Sequence, residues 1–113
     1  MPAVSTRMTT EAPALPTIDV EWVVLSDEEL EKLYRVIILN DDVTTFDFVI
    51  AALVVVFQLD QWRAEAIAWE THTKGQAYVA TLPLKEAQDK VFRVQYAARQ
   101  LGYPLEFLIE PEE

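Results

Sequence analysis

In the stretch RVIILNDDVTTFDF, Arg35 to Phe48, an apolar run breaks into Asn40, Asp41 and Asp42, and the only histidine, His72, stands beside Thr71 further along the chain. An amide oxygen, two carboxylates and an imidazole are all hydrogen-bond acceptors. Adjacent acids repel each other, and a chain that needed only a turn could use Asn-Gly there. Three chemistries compete for the acidic turn. It could favour the amino end of a helix, where negative charge is stabilising. It could bind a metal, although one histidine beside two adjacent carboxylates offers few well-spaced ligands. It could be a socket for a cation, such as an ammonium whose three hydrogens each need an acceptor.

The elements that must position these groups follow from periodicity. Tyr34 to Leu39 is β-rich and nearly all apolar, as in a strand inside a sheet. Thr44 with Asp47 three residues on resembles a capping box, so a helix is expected from Thr45, and Phe46, Val49, Ile50, Leu53, Val54 and Phe57 recur at helical spacing. Asp60 opens a second helix over Gln61 to Thr71, with Ala64, Ile67, Ala68 and Thr71 on one face, closed by His72 and by Gly75 just behind. Ala77, Val79 and Thr81 alternate with Gln76, Tyr78 and Ala80 as a second strand. Pro83 suits a helix start, and Leu84, Ala87, Val91, Val94, Ala98 and Leu101 form a stripe that ends at Gly102 and Pro104. Leu105 to Ile109 supplies a last strand. The order β-α-α-β-α-β predicts an α+β domain, a three-stranded and largely antiparallel sheet with helices on one face. Residues Glu21 to Lys32 read both ways: EWVVL could pair as a strand, whereas SDEELEKL carries a capping box at Ser26 and Glu29.

A chain of 113 residues has room for one domain. Residues 1–33 are expected to be a flexible extension, because Met1 to Asp19 holds Pro, Thr, Ala and Ser without apolar periodicity; residues 34–110 are expected to fold. The formal charge of −10 disfavours nucleic acid and favours a cationic ligand or a basic protein surface. There is no cysteine and hence no thiolate metal site. The amino terminus lacks a secretory layout. Phe48 to Phe57, the longest apolar run, falls well short of the ~20 residues of a membrane span. The expectation is a soluble cytoplasmic protein.

Three segments, YRVIILNDDVTTFDFVIAAL, AEAIAWETHTKGQA and DKVFRVQYAARQLGYPL, together resemble ClpS, the adaptor family of the Clp protease. The resemblance runs from about Tyr34 to Ile109, and its specific elements are Asn-Asp-Asp between strand and helix and His-x-x-Gly at a helix end. It implies a binding protein rather than an enzyme, with no cofactor. Such adaptors capture substrates that begin with Leu, Phe, Tyr or Trp (N-degrons) and deliver them to a Clp AAA+ unfoldase, through the amino-terminal domain of ClpA or ClpC. By the resemblance, Asn40, Asp41 and His72 contact the α-amine, with Asp42 as an accessory. Phe46, Val49, Ala68 and Thr71 form the wall of a hydrophobic pocket. Lys85 and Lys90 fall where the family touches the unfoldase, Lys85 replacing the usual Glu. Phe46 replaces the common Met, and Phe is stiffer than Met; the alternative is therefore a module of the same fold that regulates the unfoldase without choosing substrates.

Overall fold

The computed structural model describes residues 25–112, so the arm expected over residues 1–19 and most of EWVVL lie outside the described residues. The elements run α1 (Asp27–Glu31), β1 (Leu33–Leu39), α2 (Phe46–Val55), α3 (Gln61–Lys74), β2 (Gln76–Pro83), α4 (Leu84–Gln100) and β3 (Glu106–Pro111). β1 is the central strand, paired antiparallel with β2 on one side and β3 on the other. The α+β architecture expected from the sequence is thus present, preceded by one additional short helix.

That helix moves the start of the folded unit ahead of residue 34. Ser26 accepts the Glu29 amide at 3.1 Å, α1 packs on α4, and the Leu84 amide donates to the Lys32 carbonyl at 3.0 Å. The capping box therefore decides how SDEELEKL folds, and the described part of the expected extension carries regular structure.

Alternation along β1 sends Val36 and Ile38 into the core beneath the helices. They meet Val49, Leu53 and Phe57 of the α2 region, Ile67 of α3, and Val91 and Val94 of α4. Phe57 stacks on Phe107 of β3 with ring centroids 5.9 Å apart. On the opposite face Arg35 lies over the Tyr78 ring and pairs with Glu110.

Three local expectations change. Val36 pairs with Ala80 and Ile37 with Tyr78, so Val79 is an extra, bulged residue. The bulge inverts the alternation, and Ala80 and Leu82 rather than Thr81 pack against the core. Thr45, not Thr44, caps α2 by accepting the Phe48 amide at 3.1 Å. Leu101 is 60% exposed, because α4 ends at Gln100 and the chain turns away from the helical stripe.

One joint ties α3 to the first strand. α3 ends at Gly75, whose φ of 92° lies in the left-handed region, and the Gly75 carbonyl accepts the Asn40 amide at 3.0 Å. No atom lies within 4 Å of where a Gly75 Cβ would sit. Gly75→Ala is therefore expected to cost about 1–2 kcal/mol through backbone strain alone. The urea midpoint should fall with an unchanged m value; an unaltered midpoint would contradict the strain.

Candidate binding site

Local chemistry builds the turn after β1. The Asp41 Oδ1 accepts the amides of Val43 at 2.8 Å and Thr44 at 2.7 Å, and its Oδ2 accepts the Thr44 hydroxyl at 2.7 Å. Burial by itself raises the Asp41 pKa. The hydrogen bonds from the Thr44 amide and hydroxyl and from the Val43 amide, together with the Arg99 charge, outweigh burial and hold the carboxyl below its ordinary value of 3.8. The carboxylate folds the turn, and Oδ2 still has acceptor capacity beyond Thr44.

The folded turn brings Asn40 and Asp42 to the mouth of a cavity of about 260 Å³. Phe46 and Val49, three residues apart at the start of α2, form one side. Ala68, Thr71 and His72, on one face of α3, form the other. All eight residues singled out in the sequence for amine and pocket thus line a single cavity. Val49, Ala68 and Thr71 are buried, whereas Asn40, Asp42, Phe46 and His72 are exposed, so the cavity is apolar inside and polar at its rim. Thr71 donates its hydroxyl to the Ile67 carbonyl at 2.7 Å, so the helix itself occupies the only side-chain donor of this inner wall.

Leu39, Thr44 and Leu105 also line the cavity and escaped the sequence reading. Leu105 reaches it because β3 pairs Glu106 with Leu39, a long-range register that no local pattern signals. Arg99 fixes that wall by donating to the carbonyls of Tyr103 at 3.0 Å and Leu105 at 2.9 Å.

Aromatic contacts hold the rim. The Phe46 ring meets Trp69 and His72 edge-on at 5.5 and 5.6 Å, and Trp69 stacks on His72 at 5.8 Å with a 13° interplanar angle. Trp69 was missed because the helical stripe of α3 does not include it. Its spacing from His72, i to i+3, was the available signal.

The two lysines lie apart from this cavity and differ in what they offer. Lys85 is exposed and pairs with Asp89 at 3.5 Å. Lys90 is largely covered, donating to the Val56 carbonyl at 3.0 Å with Glu86 at 3.9 Å. Its ammonium closes the carboxyl end of α2. Among the described residues no group of three or more His, Asp or Glu side chains is arranged to hold a metal ion, and no helix is long and apolar enough to cross a membrane.

Comparison with known proteins decides the family. The family described as ATP-dependent Clp protease adaptor protein ClpS matches residues 29–108. This chain belongs to the ClpS family. It is 43% identical to the ClpS of Nautilia profundicola over 90 residues, covering 78% of this chain and 93% of that relative. It is 39% identical to the ClpS of Treponema denticola over 88 residues, covering 77% and 87%. Agrobacterium tumefaciens ClpS2 bound to L-phenylalaninamide superposes with a TM-score of 0.69 and 33% identity, covering 73% of this chain and 99% of that one. The ClpS-family chain is accordingly an adaptor of the Clp protease.

The turn generates a test with a defined sign. A carboxyl whose folded pKa is depressed stabilises the fold above its unfolded value, and that contribution is lost as pH falls through the folded value. Asp41→Ala should cost about 1–2 kcal/mol at pH 7. In urea titrations the gap between wild type and variant should hold down to weakly acid pH, then shrink below about pH 4. A gap independent of pH would contradict the charged hydrogen bonds.

Proposed function

We propose that this adaptor captures proteins whose first residue is large and hydrophobic, such as Leu, Phe, Tyr or Trp, and delivers them to a Clp unfoldase of the ClpA or ClpC kind. The supporting observation is one cavity whose apolar interior adjoins a rim of acceptors: Asn40, Asp41, Asp42 and His72. A first residue differs from an internal one by its α-amine, cationic at neutral pH with a reference pKa of about 7.7–8.0. In this reading Asn40 Oδ1, an imidazole nitrogen of His72 and the Asp41 Oδ2 receive the ammonium hydrogens, while Asp42 adds negative potential. The first side chain enters between Val49 and Ala68.

The cavity's volume favours this assignment. At about 260 Å³ it falls below the ~300–1,000 Å³ typical of drug-sized ligands and suits one large side chain. A Phe46 that plugged the site would leave no such space, which speaks for recognition over a module that only regulates the unfoldase. The relative bound to L-phenylalaninamide adds chemical support, since that molecule joins a free α-amine to a benzyl side chain. Lys85, exposed at the start of α4, is the proposed contact with the unfoldase amino-terminal domain.

Magnitudes require both handles. Micromolar affinity takes about 8 kcal/mol net of association costs of roughly 4 kcal/mol or more. A large buried side chain contributes about 1.5–3 kcal/mol and each charged hydrogen bond about 1.5–3 kcal/mol.

Fluorescence anisotropy with labelled peptides tests the reading. Phe- or Leu-initiated peptides should bind, and acetylating the amine should weaken them about 100-fold, equivalent to about 3 kcal/mol. Equal affinity of the acetylated form would refute amine recognition. Asn40→Ala and His72→Ala should each lose roughly tenfold or more in affinity, with urea midpoints close to wild type. Unfolding of both variants would instead assign these residues a structural role.

A further inference from the structure

Two indoles stand in water beside the cavity. Trp62 is 79% exposed and Trp69 59% exposed. Both lie on α3 with Glu65 and Ala66 between them, at i, i+3, i+4 and i+7, so the four share one helix face. With Phe46 and Ile50 of α2 they line a second groove. Phe46 also lines the first cavity, and its ring bridges to Trp69 at 5.5 Å and to His72 at 5.6 Å. The groove and the amine rim therefore meet at a shared wall.

Glu65 sets the chemistry of the groove. It lies one helical turn from Trp62 and one from Trp69. Its Oε2 accepts the Gln61 amide at 2.8 Å, and it forms no ion pair among the described residues. A carboxylate flanked by two exposed indoles matches a side chain with a flat apolar stem and a cationic head. The guanidinium of arginine stacks on aromatic faces and fits a carboxylate with a planar fork. The charge of −10 on the chain favours the same sign of ligand.

Peptide geometry gives the position. In an extended chain, side chains alternate and residues one and three point the same way, about 7 Å apart. Phe46 lines both the first cavity and the groove, so the two sites are immediate neighbours and the next same-facing side chain is the one placed to reach the groove. We infer that the groove of Trp62, Glu65 and Trp69 binds the side chain of the substrate's third residue and prefers a basic one, arginine above lysine. This inference rests on the reading that the first cavity holds the amino-terminal residue.

The test compares peptides that begin Phe-Ala-Xaa and differ only at Xaa, titrated by anisotropy against the full chain. Arginine at Xaa should bind three- to tenfold tighter than alanine, with leucine between them and glutamate weaker than alanine. In Glu65→Gln, and separately in Trp62→Ala, the ratio of arginine to alanine affinity should fall toward one. An arginine moved to the sixth position measures general attraction to an acidic protein, and its effect should not respond to either variant. A ratio near one in the wild type, a ratio untouched by both variants, or leucine matching arginine would each overturn the inference. If acetylated Phe-Ala-Ala bound as well as the free amine, or no free-amine peptide bound, the amino-terminal reading itself would fail and take this inference with it. Binding of the free amine alone, indifferent to Xaa, would remove only the groove.

Discussion

The hydrogen bond from the Asn40 amide to the Gly75 carbonyl extends the β1–β2 ladder by one step past the last strand residue. On one side of it stands the acidic turn, folded by Asp41; on the other stands the carboxyl end of α3 with His72. Neither half holds the other by direct side-chain contact among the described hydrogen bonds. The backbone positions of Asn40 and the end of α3 are thus tied together through the ladder, and the two exposed side chains project from a fixed frame. Under the proposed function a fixed frame lowers the ordering entropy that the amine's acceptors lose on each encounter.

Around this joint the remaining elements act as supports. Lys90 reaches from α4 to the Val56 carbonyl at the end of α2, and Arg99 reaches from the end of α4 to the segment before β3. Two cations on one helix thereby steady two walls of a cavity to which α4 contributes no lining. The Phe46, Trp69 and His72 rings complete the rim, each ring packed on the other two. Phe46 stiffens the mouth where a methionine would leave it adaptable.

Much of this was legible in the sequence, for physical reasons. Periodicity of 2 and 3.6 carried the strands and helices, whereas the eight residues of rim and pocket that line the cavity were named through the resemblance to ClpS, because periodicity alone does not tell a pocket wall from plain core. What escaped needed information from elsewhere in the chain. The bulge at Val79 depends on register with Val36 and Ile37; Leu105 depends on β3 pairing with Leu39; and Lys90 turns inward because an orphan carbonyl of another helix lies within its reach. Thr44 and Thr45 are chemically alike, and only the folded turn tells the one that Asp41 engages from the one that caps α2. The acids do not cap α2, which Thr45 does; Asp41 folds the turn ahead of the helix, and its carboxylate retains acceptor capacity for the proposed cation.

The cavity draws its lining from the end of β1, the start of α2, the latter half of α3 and the run into β3. No contiguous fragment shorter than Leu39 to Leu105 contains all of that lining. A growing polypeptide still on the ribosome lacks the closing wall until residues near Leu105 emerge. Under the proposed function, competence for ligand is therefore a property of the nearly finished domain and of no single element.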